Sequence, residues 1–290
     1  MKNEKSTLFN RRNFVLTGLM GSVGAFSYAR WIEPNQLSIT RQEITIPGLP
    51  PALDGLVVAQ LTDFHYEPDH LDELMAEAVQ ITNAAKPDII ALTGDFITNS
   101  DQVLRPLMAH LSRLKAQLGI YGIMGNHDGW HSRYSVFQHE FKRAGFDFLI
   151  NDGSRINIKG ESIFILGTDS IWSGQVNASK CYRGYCKGDP VIALVHEPDV
   201  FDPLTKTNHV SLQLSGHTHG GQCRVPLLGY APVKVKYGKN YIYGAYEKGE
   251  SRLFVSRGLG TVGTPVRFAC PPEVAILTLK AATQSSYFRR

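Results

Sequence analysis

The chain has 290 residues, 43% of them hydrophobic, so it can bury one sizeable core without needing a second domain. Its formal charge is +4, but Lys2, Lys5, Arg11 and Arg12 against Glu4 concentrate most of that excess at the start and leave the body close to neutral. A near-neutral body offers no clustered basic face, so no nucleic-acid-binding surface is evident.

Residues 1–29 read as a targeting segment or anchor. A polar, basic start over 1–12 runs into the apolar stretch 14–28, with small residues at Ser27 and Ala29. The stretch is short and rich in glycine for a membrane span. Its basic edge, Asn10-Arg11-Arg12-Asn13-Phe14-Val15-Leu16, resembles the twin-arginine export signal. That resemblance implies the twin-arginine export machinery as a partner, and a location in the periplasm or cell envelope, with membrane association through this segment. The alternative is a basic pair flanking an ordinary anchor. Residues 30–55 form a connector with one strand: 39–46 alternates apolar and polar residues as an edge strand does, and the prolines of 47–51 end it.

The body, 56–280, then repeats one scheme of strand, motif and helix, before a polar tail over 281–290. Strand 56–61 runs into Thr62-Asp63-Phe64-His65, and a helix over 71–85 follows with Leu71, Leu74, Met75, Ala78 and Val79 at helical spacing. Strand 89–93 runs into Gly94-Asp95, followed by a helix over 103–118. Strand 120–124 runs into Gly125-Asn126-His127-Asp128, followed by a helix over 132–144. Motifs at the carboxyl ends of neighbouring strands are where open α/β sheets place their ligands. The second half holds shorter strands at 162–166, 191–195, 211–214, 252–255 and 274–279, with one helix at 199–206, and this texture predicts a second sheet packed on the first.

Asp63 and His65 lie two residues apart, which in an extended chain aims both side chains to one side. A carboxylate beside an imidazole suits zinc, iron or manganese. Asp95 delivers one carboxylate to a strand end, or else caps the next helix. Adjacent side chains diverge, so Asn126 can offer an amide oxygen to a metal while His127 points toward substrate; a turn with a surface histidine is the alternative. His196 ends the strand over 191–195, and Gly216-His217-Thr218-His219 repeats the two-residue spacing at the end of 211–214. His70, His110, His131, His139 and His209 read as ordinary surface residues. Cys181 and Cys186 are close enough to bridge, with two free surface thiols as the alternative, while Cys223 and Cys270 read as buried small hydrophobes. No CxxC pair of the zinc type is present.

In order, Asp63-Phe64-His65, Gly94-Asp95, Gly125-Asn126-His127-Asp128, His196 and Gly216-His217-Thr218-His219 resemble the signature of calcineurin-like metallophosphoesterases. Gly220-Gly221-Gln222, Arg257-Gly258-Leu259-Gly260-Thr261 and Cys270-Pro271-Pro272-Glu273 resemble its exported bacterial phosphodiesterase branch. The resemblance implies an α/β fold, a four-layer αββα sandwich of two mixed β-sheets flanked by helices. It implies two divalent metal ions, manganese favoured over iron and zinc. Asp63, His65, Asp95 and His219 hold one; Asp95, Asn126, His196 and His217 hold the other. Asp95 would bridge them, with a hydroxide between the metals for in-line attack on phosphorus. His127 would protonate the leaving alkoxide, and Asp128 would orient that ring or cap the following helix, capping being preferred. Phe96-Ile97-Thr98-Asn99 lacks the acidic and arginine residues of the protein-phosphatase branch, which argues against phosphoprotein substrates.

Arg224, Lys234, Lys236 and Lys239 follow the last motif and either meet further anionic groups or form a solvated loop. Tyr230, Tyr237, Tyr241 and Tyr243 interleave them as substrate contacts or strand packing. The expected substrate is a phosphodiester, lipid-linked or nucleotide-linked. The alternative is pyrophosphate hydrolysis of UDP-2,3-diacylglucosamine in lipid A synthesis, with the same metals and acid. A non-catalytic interaction module on this fold is the remote alternative, and the filled ligand positions argue against it.

Overall fold

Strands with apolar side chains on both faces need cover on both sides, and two stacked sheets between helices provide it. A computed structural model describes residues 11–68, 70–207, 209–232 and 235–282, except the side chains at 11, 12 and 207. The side chains of the arginine pair, Lys234 and most of the C-terminal tail lie outside that set.

The first sheet runs in the order β1-β12-β2-β3-β4-β5, formed by β1 (Ser38–Ile46), β12 (Glu273–Ala281), β2 (Val57–Leu61), β3 (Ile89–Leu92), β4 (Gly119–Gly122) and β5 (Asp147–Phe148). Only β12 against β2 is antiparallel. The second runs β10-β11-β9-β8-β7-β6, formed by β10 (Gly244–Lys248), β11 (Ser251–Val255), β9 (Leu212–Ser215), β8 (Val191–Leu194), β7 (Glu161–Gly167) and β6 (Asp152–Ile158). Its two edge pairings are antiparallel and its interior is parallel.

Alternation along each strand sorts the core into layers. Val58, Ile89 and Ala91 meet Ile165, Ile192 and Leu214 between the sheets. Their neighbours Ala59, Ile90 and Leu92 face α2 (Asp72–Ala84), α3 (Leu104–Leu111) and α5 (Tyr134–Ala144) through Met75, Leu107, Phe137 and Phe141. On the far side, Phe164, Val191 and Ala193 face α6 (Ala178–Cys181) and α7 (Phe201–Thr207) through Cys181 and Leu204. The fold is the expected four-layer sandwich. Phe137 and Phe141 are fully buried, each contributing roughly 1.5–3 kcal/mol by transfer from water. Asp72 and Glu73 place negative charge in the first turn of α2, where the helix dipole favours it.

Several expectations change. Residues 274–279 lie in β12, which belongs to the first sheet, between β1 and β2; an apolar run does not itself disclose its pairing partner. The helix expected over 103–118 ends at Leu111. Asn83 captures the chain beyond it, its Nδ2 donating to Arg113 O at 2.9 Å and its Oδ1 accepting from Lys115 N at 2.8 Å. Strands β6 and β10, and the short helix α4 (Asn126–His131), were not foreseen. Cys181 and Cys186 are both free, but Cys181 is buried rather than a surface thiol, and burial pushes it up to about 11. Cys270 is buried as expected, and Cys223 is half-buried.

Helix α1 (Arg11–Ser27) precedes the body and continues through a π-helical turn over Tyr28–Ile32 and a 3-10 turn over Glu33–Asn35. The junction is anchored: Ala29 O accepts from Arg267 N at 2.9 Å, and buried Glu33 accepts from Ala269 N and Cys270 N. Among the described residues no helix is long and apolar enough to cross a membrane.

Candidate metal centre

Parallel strands deliver their carboxyl ends to one edge, and the loops beyond β2, β3, β4, β8 and β9 are laced together there. Asp63 N donates to Gly94 O at 2.9 Å, His65 N to Asp95 O at 3.0 Å, and Gly216 N to His196 O at 3.1 Å. The approach is close enough to require glycine. A Cβ on Gly125 would lie 2.2 Å from Asp95 Oδ1, and one on Gly216 would lie 2.1 Å from Asp63 Oδ2.

The extended-chain argument for the Asp63–His65 and His217–His219 pairs does not hold. All four residues lie beyond their strand ends with left-handed backbone, at φ 50°, 38°, 72° and 50°, and Asp95 joins them at φ 52°. Such conformations cost about 1–3 kcal/mol each for residues other than glycine. The surrounding loop hydrogen bonds hold them in place.

Two triads result: Asp63, His65 and His219, and Asp95, His196 and His217, each with ligand atoms within 4.8 Å of one another. Asp95 ties them together, its Oδ2 lying 3.4 Å from His65 Nε2 and 3.2 Å from His196 Nε2. His127 forms a further group with His65 and Asp95. Neither ring contact with Asp95 has the alignment of a hydrogen bond. His65 Nε2, His196 Nε2, His219 Nδ1 and Asn126 Oδ1 are all buried without a hydrogen-bond partner. Four orphaned donor atoms beside two buried carboxylates fit divalent cations well.

The other ring nitrogens of His65, His196 and His217 have partners, as metal-binding histidines require. His196 Nδ1 donates to Thr93 O at 2.7 Å, His217 Nε2 donates to Lys236 O at 2.6 Å, and His65 Nδ1 lies 3.2 Å from Thr98 Oγ1. Asp63 accepts from His217 N through both oxygens, at 2.8 and 3.0 Å. Burial pushes the Asp95 carboxyl up, but the His196 and His65 imidazoles outweigh it and hold the group well below its ordinary range. Burial likewise pushes His217 down, to about 3, with His196 adding to the effect. His219 is held well below its ordinary value by burial and then by His65. Neutral imidazoles of this kind are competent ligands.

His127 sits against this cluster, its ring 4.8 Å from that of His65, with Nδ1 donating to Thr98 O at 3.0 Å. Asp128 does not orient that ring. It is fully buried; its Oδ2 accepts from Gly125 N at 2.8 Å, and its Oδ1 accepts from Phe96 N and Ile97 N at 2.9 and 3.1 Å. It therefore caps α4, the helix it belongs to, and clamps the loop that carries Asp95. Asp128→Ala would leave three buried N–H groups unpaired, and a loss of about 3 kcal/mol or more is expected in urea unfolding. An unchanged urea midpoint would exclude this clamp.

Other contributors escaped the sequence reading. Glu197, buried beside His196, accepts from Ser170 Oγ and from Trp172 N at 3.3 Å, and so folds the loop that carries Trp172. Trp172 contacts the His217 ring at 5.6 Å and Trp130 at 4.7 Å, and Trp130 contacts His127 at 5.1 Å. The two tryptophans wall the site. An acidic residue directly after the strand-end His196 was the available signal for Glu197. Of the basic residues, Lys236 reaches the wall, with Nζ 5.5 Å over Trp172 and 4.7 Å over Tyr237. Arg224 is engaged elsewhere, donating to Gly229 O at 2.8 Å and lying 5.3 Å over Tyr243, while Lys239 N donates to Asp199. Tyr241 packs on Phe201 and Tyr246. His110 is not an isolated surface histidine, since its Nε2 lies 2.9 Å from Asp72 Oδ1.

Comparison with known proteins agrees with the geometry. The uncharacterized metallophosphoesterase YkuE of Bacillus subtilis (strain 168) is 34% identical over 288 residues, covering 94% of this chain and 98% of its own. Phosphodiesterase YaeI of Escherichia coli (strain K12) is 28% identical over 280 residues, covering 94% of this chain and 100% of its own. The solved NAD nucleotidase of Haemophilus influenzae superposes with a TM-score of 0.48 at 12% identity, over 70% of this chain and 45% of that one. The family model of calcineurin-like phosphoesterases matches residues 56–221. That span takes in every motif from Asp63 to His219, and the chain belongs to the calcineurin-like phosphoesterase family.

Proposed function

We propose that the chain is a two-metal phosphodiesterase in which Asp63, His65, Asp95 and His219 hold one divalent cation and Asp95, Asn126, His196 and His217 the other. The observation that carries this reading is the pair of triads brought together by Asp95, with orphaned ring nitrogens at His65, His196 and His219 and an orphaned amide oxygen at Asn126. Manganese is the favoured ion, because carboxylate and amide oxygens accompany the imidazoles. Bound cations would supply Lewis acidity to the phosphoryl oxygens and to an attacking water.

The chain's own residues do the rest. Thr98 O holds His127 by Nδ1 and leaves Nε2 as the nitrogen that passes a proton to the leaving alkoxide. Burial lowers the His127 pKa in the free protein, and an anionic diester beside the ring favours its protonated form. Trp130 and Trp172 cover the site and offer apolar faces to a second ester substituent. The likeness to phosphodiesterase YaeI supports a diester over a monoester. The arginine pair at Arg11 and Arg12 supports twin-arginine export to the cell envelope, where lipid-linked and nucleotide-linked phosphodiesters are the substrates on offer.

The test compares bis-p-nitrophenyl phosphate with p-nitrophenyl phosphate at equal concentration on the manganese-loaded protein. The diester is expected to turn over at least about tenfold faster, a difference of ~1.4 kcal/mol in barrier. Preference for the monoester overturns the reading.

A further inference from the structure

Helix α1 carries no charge from Phe14 to Ser27, and its large side chains stand in the open: Phe14 is 75% exposed, Met20 74%, Leu19 61% and Phe26 57%. A helix without a polar face is one that apolar surroundings enclose. A second apolar feature stands nearby. The loop over 225–230 is closed by Val225 N donating to Tyr230 O at 2.8 Å, and it holds Leu227 and Leu228 outward, at 106% and 79% exposure.

Both features leave the body at the same two residues. Arg267 N donates to Ala29 O, the Tyr28 ring lies 6.4 Å from that of Phe268, and Phe268 O accepts from Arg224 N at 2.8 Å. Beside them, Trp31 and Ile32 are 60% and 48% exposed. Arg30 and Trp31 also wall a cavity of about 280 Å³ whose lining includes His65, His70, Gly260 and Pro265. The cavity thus joins the apolar face to the metal cluster.

We propose that α1, Trp31, Ile32 and the 225–230 loop form one face that docks on an anionic lipid bilayer, presenting the cavity beside His65 to the phosphate of a membrane lipid. Two observations favour a bilayer over a second copy of the chain. The helix is apolar around most of its circumference, whereas a protein partner covers one side. Described arginines border the face at Arg30, beside Trp31, and at Arg224, whose N donates to Phe268 O, where anionic headgroups would meet them. The lipid-substrate half rests on the phosphodiesterase reading; the docking half does not.

The experiment is flotation of the full chain with vesicles of phosphatidylcholine alone or mixed equally with phosphatidylglycerol, itself a phosphodiester. The chain is expected to float with the mixed vesicles and less with phosphatidylcholine. Leu227→Ser/Leu228→Ser is expected to weaken vesicle binding at least about tenfold and to lose hydrolysis of vesicle phosphatidylglycerol, with turnover of bis-p-nitrophenyl phosphate unchanged. The proposal is overturned if the full chain stays in the soluble fraction with both vesicles, if the double variant floats equally well, or if a stable lipid-free dimer hides the face. A chain that floats yet hydrolyses no diester refutes the phosphodiesterase reading and leaves the docking intact.

Discussion

Asp95→Asn is expected to lower kcat/KM for bis-p-nitrophenyl phosphate at least about a thousandfold, some 4 kcal/mol of barrier, and to reduce bound metal below two ions per chain. The substitution keeps shape and removes charge. The oxygen that accepts from His127 N at 2.9 Å can be retained as the amide carbonyl, so the α4 junction keeps its hydrogen bond. The other oxygen is the one facing His65 Nε2 and His196 Nε2, and an amide NH₂ there would offer protons to nitrogens that need lone pairs for a cation. Metal analysis alongside activity separates the causes. Full metal content with full turnover would remove Asp95 from the site, whereas loss of both, with an unchanged urea midpoint, identifies it as the shared carboxylate.

How far this site was legible depends on which physical signal each part leaves in the sequence. Apolar runs ending in Gly-Asp or Gly-His mark strand ends, because burial demands the run and close loop approach demands the glycine. Asp95, Asn126, His127, His217 and His219 could be named on that signal, and Asp63, His65 and His196 on their place at strand ends; all but Asn126 fall in the clustered groups, and Asn126 is buried next to His127 in the chain. Their backbone conformation could not be read: aspartate and histidine at φ 38–72° carry no marker of the kind glycine supplies. The two-residue spacing reached the right residues by a geometry the loops do not adopt. Asp128 caps a helix, as preferred, but its clamp on the Asp95 loop was not legible, because its partners Phe96 and Ile97 are local in space but distant in sequence. The same distance hid the pairing of β12 with β1 across 235 residues, from Ser38 to Glu273. Trp130 and Trp172 belong to no motif, and the Glu197 contact that seats the Trp172 loop beside Trp130 links residues far apart in the chain.

His127→Gln separates proton donation from metal binding, and the leaving group decides how much it costs. Glutamine retains a side-chain donor for Thr98 O but cannot release a proton, and His127, though grouped with His65 and Asp95, is not among the ligands proposed for either cation. Metal content is therefore expected to stay at the wild-type level. With a dialkyl phosphodiester, whose alkoxide leaves poorly without a proton, kcat is expected to fall by about 10²–10⁴. With bis-p-nitrophenyl phosphate, whose phenolate leaves readily unprotonated, the fall is expected to stay within about tenfold. The ratio of the two losses is the informative quantity. A residue that merely packs against His65 and Trp130 would slow both substrates alike, and a residue that binds metal would lower metal content. Equal losses on the two substrates would thus reassign His127 from proton donor to positioning residue, even if each loss were large.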